Sequence, residues 1–224
     1  MSRDQTNIEA RLARLDTCAV SDALDRLKLR GAVTGLMPLT VFRKIVGRVI
    51  TVRLTVRADG LGATTPAVHL GARAIEAAQP GNVIVVEQRT GVVAGSWGGI
   101  LSIGAKVRGV AGVICDGLVR DVDEARGIEF PIYARGATPL TARGRVVEQE
   151  TGGPIRIGEE TVNSGDYVVA DSTGVIFLAR ERVDDILNAA EQVAAREFAM
   201  AKDLLAGKPI TAVMGTNYER MLDT

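Results

Sequence analysis

The sequence predicts one mixed α/β domain, and three observations carry that expectation. Between positions 66 and 121 the hydrophobic pattern runs helix, strand, helix, strand, helix start, which is the grammar of βαβ units. From position 130 onward it changes to short apolar stretches separated by Gly turns, as antiparallel hairpins require. A long amphipathic stretch then closes the chain. No linker, repeat or low-complexity tract interrupts it, so a single domain over 1–224 is expected, with its core at about 12–190.

In order, residues 8–29 read as two short helices. Ile8, Leu12 and Leu15 share one face, and Ser21 caps or interrupts before Ala23, Leu24 and Leu27. IVGRVITVRLTV (45–56) alternates as a half-buried strand does. Pro66 is placed to open a helix through Ala78, since proline is tolerated in a first helical turn. PGNVIVVE (80–87) is a turn and a buried strand, followed by GSWGG (95–99), a helix near 100–108 and a strand over 110–115. GRVVEQ, GPIRIG and GDYVVADSTGVIFLA supply the later strands. The closing helix, 181–205, has an apolar stripe of Val183, Ile186, Leu187, Ala190, Val193 and Ala194.

Lys plus Arg and Asp plus Glu number 27 each, so the net charge is zero, which argues against nucleic-acid binding by bulk charge. Only five of the basic residues are Lys, and the Arg excess favours fork-like contacts to small anions and across interfaces. With two cysteines and no CxxC, neither a zinc knuckle nor a disulfide framework is expected. The charged start and the lack of a long apolar run predict a cytoplasmic protein without a membrane partner. A single histidine, His69, excludes multi-histidine metal sites within one chain; it is expected on a helix, facing a neighbour.

Two motifs can carry chemistry. GSWGGIL enters a helix, so its backbone N–H groups sit at the positive end of a dipole. Gly98 and Gly99 leave room for a carboxylate to approach the N–H groups of Ile100 and Leu101; the bland alternative is a tight packing turn that tolerates positive φ. In CDGLVRD (115–121), Arg120 and Asp121 stand side by side past a strand, with Glu124 three residues on. Either Asp121 and Glu124 form a capping box, or they converge with Arg120 and the Gly-rich turn on one cleft, because both motifs follow consecutive strands. The second arrangement suits a small 2-oxo acid and a hard divalent cation such as Mg²⁺. Carbon–carbon cleavage beside the carbonyl is then the natural reaction. Lys106 as a Schiff base and 58–65 as a phosphate loop are weaker readings than surface and loop roles.

TCAVSDALDRL, PGNVIVVE, WGGILSIGAKVRGVAGVICDGLVRD and GDYVVADSTGVIFL resemble the family containing 4-hydroxy-4-methyl-2-oxoglutarate aldolase, 4-carboxy-4-hydroxy-2-oxoadipate aldolase and the ribonuclease activity regulator A-like proteins, over roughly 12–190. The resemblance implies a swivelling β/β/α fold, a homotrimer or homohexamer with sites at subunit interfaces, and dependence on Mg²⁺ or Mn²⁺. It also implies retro-aldol release of pyruvate, with oxaloacetate decarboxylation through the same enolate. Carried over by position, Gly98, Gly99, Ile100 and Leu101 bind the substrate carboxylate, Arg120 binds substrate and steadies the enolate, and Asp121 ligates the metal. One departure stands out: family aldolases usually carry an acid directly after the Trp-Gly pair, where this chain has Gly99. Glu124 is the nearest substitute. The competing expectation is a non-catalytic regulatory binding protein.

Overall fold

The computed structural model describes residues 3–57 and 69–215, with side chains from residue 7. Two helices, α1 (Arg3–Leu12) and α2 (Thr17–Arg26), lead into β1 (Ala32–Val33), β2 (Met37–Pro38) and β3 (Ile45–Val56). The chain then alternates α3 (Ala72–Ala77), β4 (Val83–Glu87), α4 (Gly99–Val107), β5 (Gly112–Val119), α5 (Val122–Gly127) and β6 (Ile132–Ala137). The strands β7 (Val146–Thr151), β8 (Ile155–Ile157), β9 (Glu160–Val162), β10 (Tyr167–Ala170) and β11 (Val175–Leu178) precede α6 (Val183–Leu205) and α7 (Ile210–Val213). The result is a mixed α/β fold with a curled sheet and flanking helices.

Strands β3, β4, β5 and β6 run parallel, as the βαβ pattern requires. The length of β3 explains the curl. On one edge its first residues pair with β10 and its last, Val52–Val56, with β7 across a bulge at Arg53/Leu54, while β4 pairs Val49–Arg53. A strand that changes partner along its length twists out of one plane, and a bulge increases that twist. β10–β11 and β8–β9 are the expected hairpins, whereas β6 adds to the parallel sheet beside β5.

One core lies between the sheet and α3, α4 and α5, with Val86, Trp97, Val113 and Phe130 buried in it. Another joins α2 and α6 to the β10–β11 hairpin through Leu24, Val169, Ile176 and Leu187. α6 buries Val183, Ile186, Leu187, Ala190 and Val193, five members of the expected stripe.

Several boundaries differ from expectation. The break between the first two helices falls ahead of Thr17, where Asp16 caps α2 by accepting the Ala19 N–H at 2.8 Å; Ser21 lies inside the helix. Of the helix expected over 66–78, the described part is helical only at Ala72–Ala77; Pro66 and the 58–65 stretch lie outside the described residues. The strand expected at 110–115 runs instead from Gly112 to Val119, with its register shifted between Cys115 and Leu118. That shift carries the chain further, so that Arg120 and Asp121 emerge directly from the strand end. Among the described residues no helix is long and apolar enough to cross a membrane.

Candidate active site

The segment after β4 is stitched alongside the end of β5. Gly95 bridges Leu118, the Ser96 N–H and Oγ both donate to the Leu118 carbonyl at 2.8 Å, and the Arg120 N–H donates to the Trp97 carbonyl at 2.9 Å. Trp97 is buried and its indole N–H donates to Ser102 Oγ at 3.1 Å, which locks the turn to the first turn of α4. GSWGG and the Arg-Asp pair are thereby held side by side.

Asp121 adopts a left-handed conformation with φ 57° and ψ 38°, which Asp tolerates better than most residues. Its side chain does not cap α5. It turns back across the strand end, where one oxygen accepts the Gly99 N–H at 3.0 Å and both accept Arg120 Nε at 3.1 Å. The capping box is therefore not formed. An uncommon backbone conformation is kept here in order to aim a carboxylate at the start of α4.

The glycines of GSWGG serve space rather than positive φ: Gly98 is extended, at φ −153°. A Cβ on Gly95 would lie 2.9 Å from Arg120 Cγ, and one on Gly98 would lie 2.8 Å from Asp121 Oδ2. A Cβ on Gly99 would fall on a carboxylate oxygen of Glu124 and 3.3 Å from Asp121 Cβ. Each glycine thus makes way for one of the three charged side chains. The carboxylate that approaches the Gly99 N–H is the chain's own, which leaves the first-turn N–H groups of Ile100 and Leu101 without helix partners.

A cavity of about 390 Å³ opens at this point. Gly98, Gly99, Ile100, Leu101, Arg120 and Asp121 all line it. Glu124 does not; it stands behind Gly99, and its carboxylate has no hydrogen bond or ion pair among the described residues. The rest of the lining was not expected from sequence. It includes His69 and Leu70, which precede α3, and Thr141, Ala142 and Arg143 from the loop between β6 and β7. His69 is exposed and outside any helix, contrary to the helical position expected. No motif marks Arg143; only the folding of its loop brings it here.

Other nucleophiles stand apart. Cys115 is fully buried, and desolvation pushes its thiol up to about 12, so it stays protonated at neutral pH. Lys106, at the far end of α4, donates to the Ile128 carbonyl and does not line the cavity.

What the arrangement offers is anion binding by Arg120 and two backbone N–H groups beside a partly exposed carboxylate. No group of three His, Cys, Asp or Glu side chains suited to a metal occurs among the described residues. That donor set does not suit zinc, which needs three or four protein ligands. It does fit a hard divalent cation that keeps much of its water: Asp121 would hold it directly, with Glu124 close by.

Relatives share the fold, and several carry aldolase names. DlpA of Legionella pneumophila is 27% identical over 182 residues, covering 81% of this chain but only 29% of DlpA. A Halalkalibacterium halodurans protein named "Putative 4-hydroxy-4-methyl-2-oxoglutarate aldolase" is 28% identical over 213 residues, covering 92% of this chain and 94% of that protein. The crystal structure of Streptomyces coelicolor RraAS2, described as an unusual member of the RNase ES inhibitor RraA protein family, shares the fold. It matches with a TM-score of 0.77 at 24% identity, over 89% of this chain and 98% of that one. Residues 17–177 match the RraA-like family, Aldolase/RraA, and the chain belongs to that family.

Proposed function

We propose that the chain is a divalent-metal-dependent aldolase that cleaves a 4-hydroxy-2-oxo acid, such as 4-hydroxy-4-methyl-2-oxoglutarate, to pyruvate, and decarboxylates oxaloacetate through the same enolate. The observation that carries this reading is the meeting of Arg120, Asp121 and the N-terminus of α4 on one cavity wall. In the proposed reaction the 4-hydroxyl loses its proton as the bond between C3 and C4 breaks. C4 leaves as a carbonyl, the electron pair passes to the 2-oxo oxygen, and the enolate takes a proton at C3 to give pyruvate.

Ile100 and Leu101 N–H groups hold the substrate carboxylate, and Arg120 binds the substrate and stabilises the charge that develops on the enolate oxygen. Asp121 would hold Mg²⁺ or Mn²⁺, which when bound supplies Lewis-acid stabilisation of that same charge. Glu124 acts as a positioning residue: it orients the water that takes and returns the proton, the part an acid at position 99 plays in the aldolases this sequence resembles. Assembly as a trimer or a pair of trimers is part of the proposal. It is supported by an exposed apolar stripe on α4 beside the cavity, where Ile100, Ile103 and Val107 are 80%, 45% and 84% exposed.

Gly99 favours a second reading, a regulatory binding protein that acts by contact. The two part on one experiment: pyruvate release from oxaloacetate and from 4-hydroxy-4-methyl-2-oxoglutarate, with Mg²⁺ added and then chelated. Metal-dependent release is expected. No release from either acid under any metal condition would leave the binding protein as the answer.

A further inference from the structure

We propose that Glu148 is a positioning residue: it holds the turn 69–71 against the cavity, and the grip of the site on its substrate depends on that hold. The inference rests on the aldolase reading above and extends it to a residue that does not itself line the cavity.

Glu148 lies on β7 opposite Leu54 of β3, and its side chain is only 3% exposed. A carboxylate in such a place is costly unless donors surround it. Three do. One oxygen accepts the Gly71 N–H at 2.6 Å; the other accepts from Thr151 Oγ1 at 2.8 Å and from Arg73 Nη1 at 3.3 Å. Thr151 is on the same strand, and the Arg73 side chain is more than half exposed. Only the bond to Gly71 reaches the cavity wall.

His69 and Leu70, just ahead of Gly71, line the cavity. The turn's own backbone bonds are local: the Ala72 N–H donates to the His69 carbonyl and the Ile75 N–H to the Gly71 carbonyl, each at 3.1 Å. Among the described residues, the bond from Gly71 to Glu148 is the one hydrogen bond that ties the turn to anything beyond α3. Gly71 is left-handed, at φ 80°, and lies flush with the indole ring: a Cβ there would stand 2.8 Å from Trp97 Cζ3 and 3.6 Å from Leu101 Cδ1. The turn is therefore laid on Trp97 and on Leu101, whose N–H is the proposed donor to the substrate carboxylate. A well-packed apolar side chain would stabilise β7 without burying a charge. What the carboxylate adds is a fixed place for a stretch of backbone that borders the site.

The test sets reach against charge. Glu148→Gln keeps the reach and an oxygen that accepts the Gly71 N–H, while Glu148→Asp keeps the charge but falls short of Gly71. The chain has one tryptophan, the buried Trp97 beneath this turn, so its fluorescence reports where the turn lies. In Glu148→Asp and Glu148→Ala, kcat/KM for 4-hydroxy-4-methyl-2-oxoglutarate is expected to fall by about 10- to 100-fold, the effect of a small displacement beside a reacting site. The loss should appear chiefly in KM, with Mg²⁺ affinity kept and acrylamide quenching of Trp97 increased. Glu148→Gln should stay near the parent in all three. The reverse order, Asp near the parent and Gln impaired, would overturn the assignment and make Glu148 the charge partner of Arg73. Parental kcat/KM in every variant would also overturn it, as would a loss of Mg²⁺ affinity in step with the loss of substrate affinity. If Glu148→Ala does not fold, the comparison of Gln with Asp decides alone. A wild-type chain that cleaves neither this acid nor oxaloacetate defeats the aldolase reading itself. Trp97 quenching and calorimetry with pyruvate then still rank the variants, and equal values in all of them would overturn the role of Glu148 as well.

Discussion

Gly99 donates its backbone N–H to the carboxylate of Asp121 at 3.0 Å, across 22 residues of chain. This bond ties the start of α4 to the end of β5 and makes the two motifs one site. With its left-handed backbone, Asp121 turns its side chain back to Gly99 and Arg120 instead of capping α5.

Asp121→Asn separates charge from shape. Asn tolerates the same left-handed conformation and its side-chain carbonyl can still accept the Gly99 N–H, so the fold is expected to survive with little change in Tm. What disappears is the one carboxylate among the described residues lining the cavity. Mg²⁺ binding by calorimetry should vanish, and pyruvate formation should fall by about 100-fold or more, as when one group that stabilises developing charge is lost. Retained turnover with a lowered Tm would make Asp121 a structural residue.

Arg120→Lys keeps the positive charge but loses the fork. Arg120 Nε engages both Asp121 oxygens while the side-chain stem lies over Gly95 and Gly98. An ammonium cannot hold that carboxylate and a substrate oxygen in one plane. Turnover is expected to drop on the order of 100-fold. A rise in KM alone, with kcat preserved, would limit Arg120 to ground-state binding.

The structure permits a sharp steric test at Gly98. Its extended backbone accepts any residue, so Gly98→Ala strains nothing locally. The added methyl, however, would press on Asp121 Oδ2 and on Arg120 Cγ, 3.2 Å away, which must then shift. Activity and Mg²⁺ affinity should fall by roughly 10-fold or more while the far-ultraviolet circular dichroism stays that of the parent. Parental activity would show that the pair has slack and that its position is not what the chemistry depends on.

How much of this was legible in the sequence depended on how local the cause was. The alternation along 45–56, the buried run 83–87 and the stripe of α6 are set by side-chain periodicity, and each lies where periodicity puts it. The pairing of β7 with the far half of β3 was not legible, because it depends on a bulge and on a change of partner that leave no periodic trace. The Arg-Asp pair and the Gly-rich turn were visible as motifs, yet the reason for the glycines was not. They clear space for Arg120, Asp121 and Glu124, all more than 20 positions away. Arg143 carries no sequence signal at all, since its place on the cavity wall follows from loop hydrogen bonds and the burial of Ala142.

Assembly can be tested on α4. Ile103 is half-exposed beside Ile100 and Val107 on a helix that borders the cavity, an apolar stripe that a lone chain would leave in water. Light scattering at micromolar concentration should report the mass of three or six chains. Ile103→Glu should lower it, because a charge cannot be buried unpaired at such a contact. A monomeric parent would remove the shared site. An oligomer indifferent to Ile103→Glu would move the interface to another face.

The relation of Glu124 to Gly99 gives the last prediction. A carboxylate fills the place where a side chain on residue 99 would begin, one helical turn beyond Asp121 and without a partner among the described residues. As the capping box is not formed, Glu124 has no evident structural task on α5. Glu124→Gln should therefore leave Tm nearly unchanged and lower turnover or Mg²⁺ affinity by about 10- to 100-fold, the effect of outer groups that orient ligands and water. The exchange of position can itself be tested. Gly99→Asp alone sets two carboxylates in one space and should impair the chain, whereas Gly99→Asp combined with Glu124→Ala restores a single acid and should recover much of the lost activity. If the double variant is no better than Glu124→Ala alone, the two positions are not interchangeable, and the proton passes through a group elsewhere, with His69, which also lines the cavity, the first to examine.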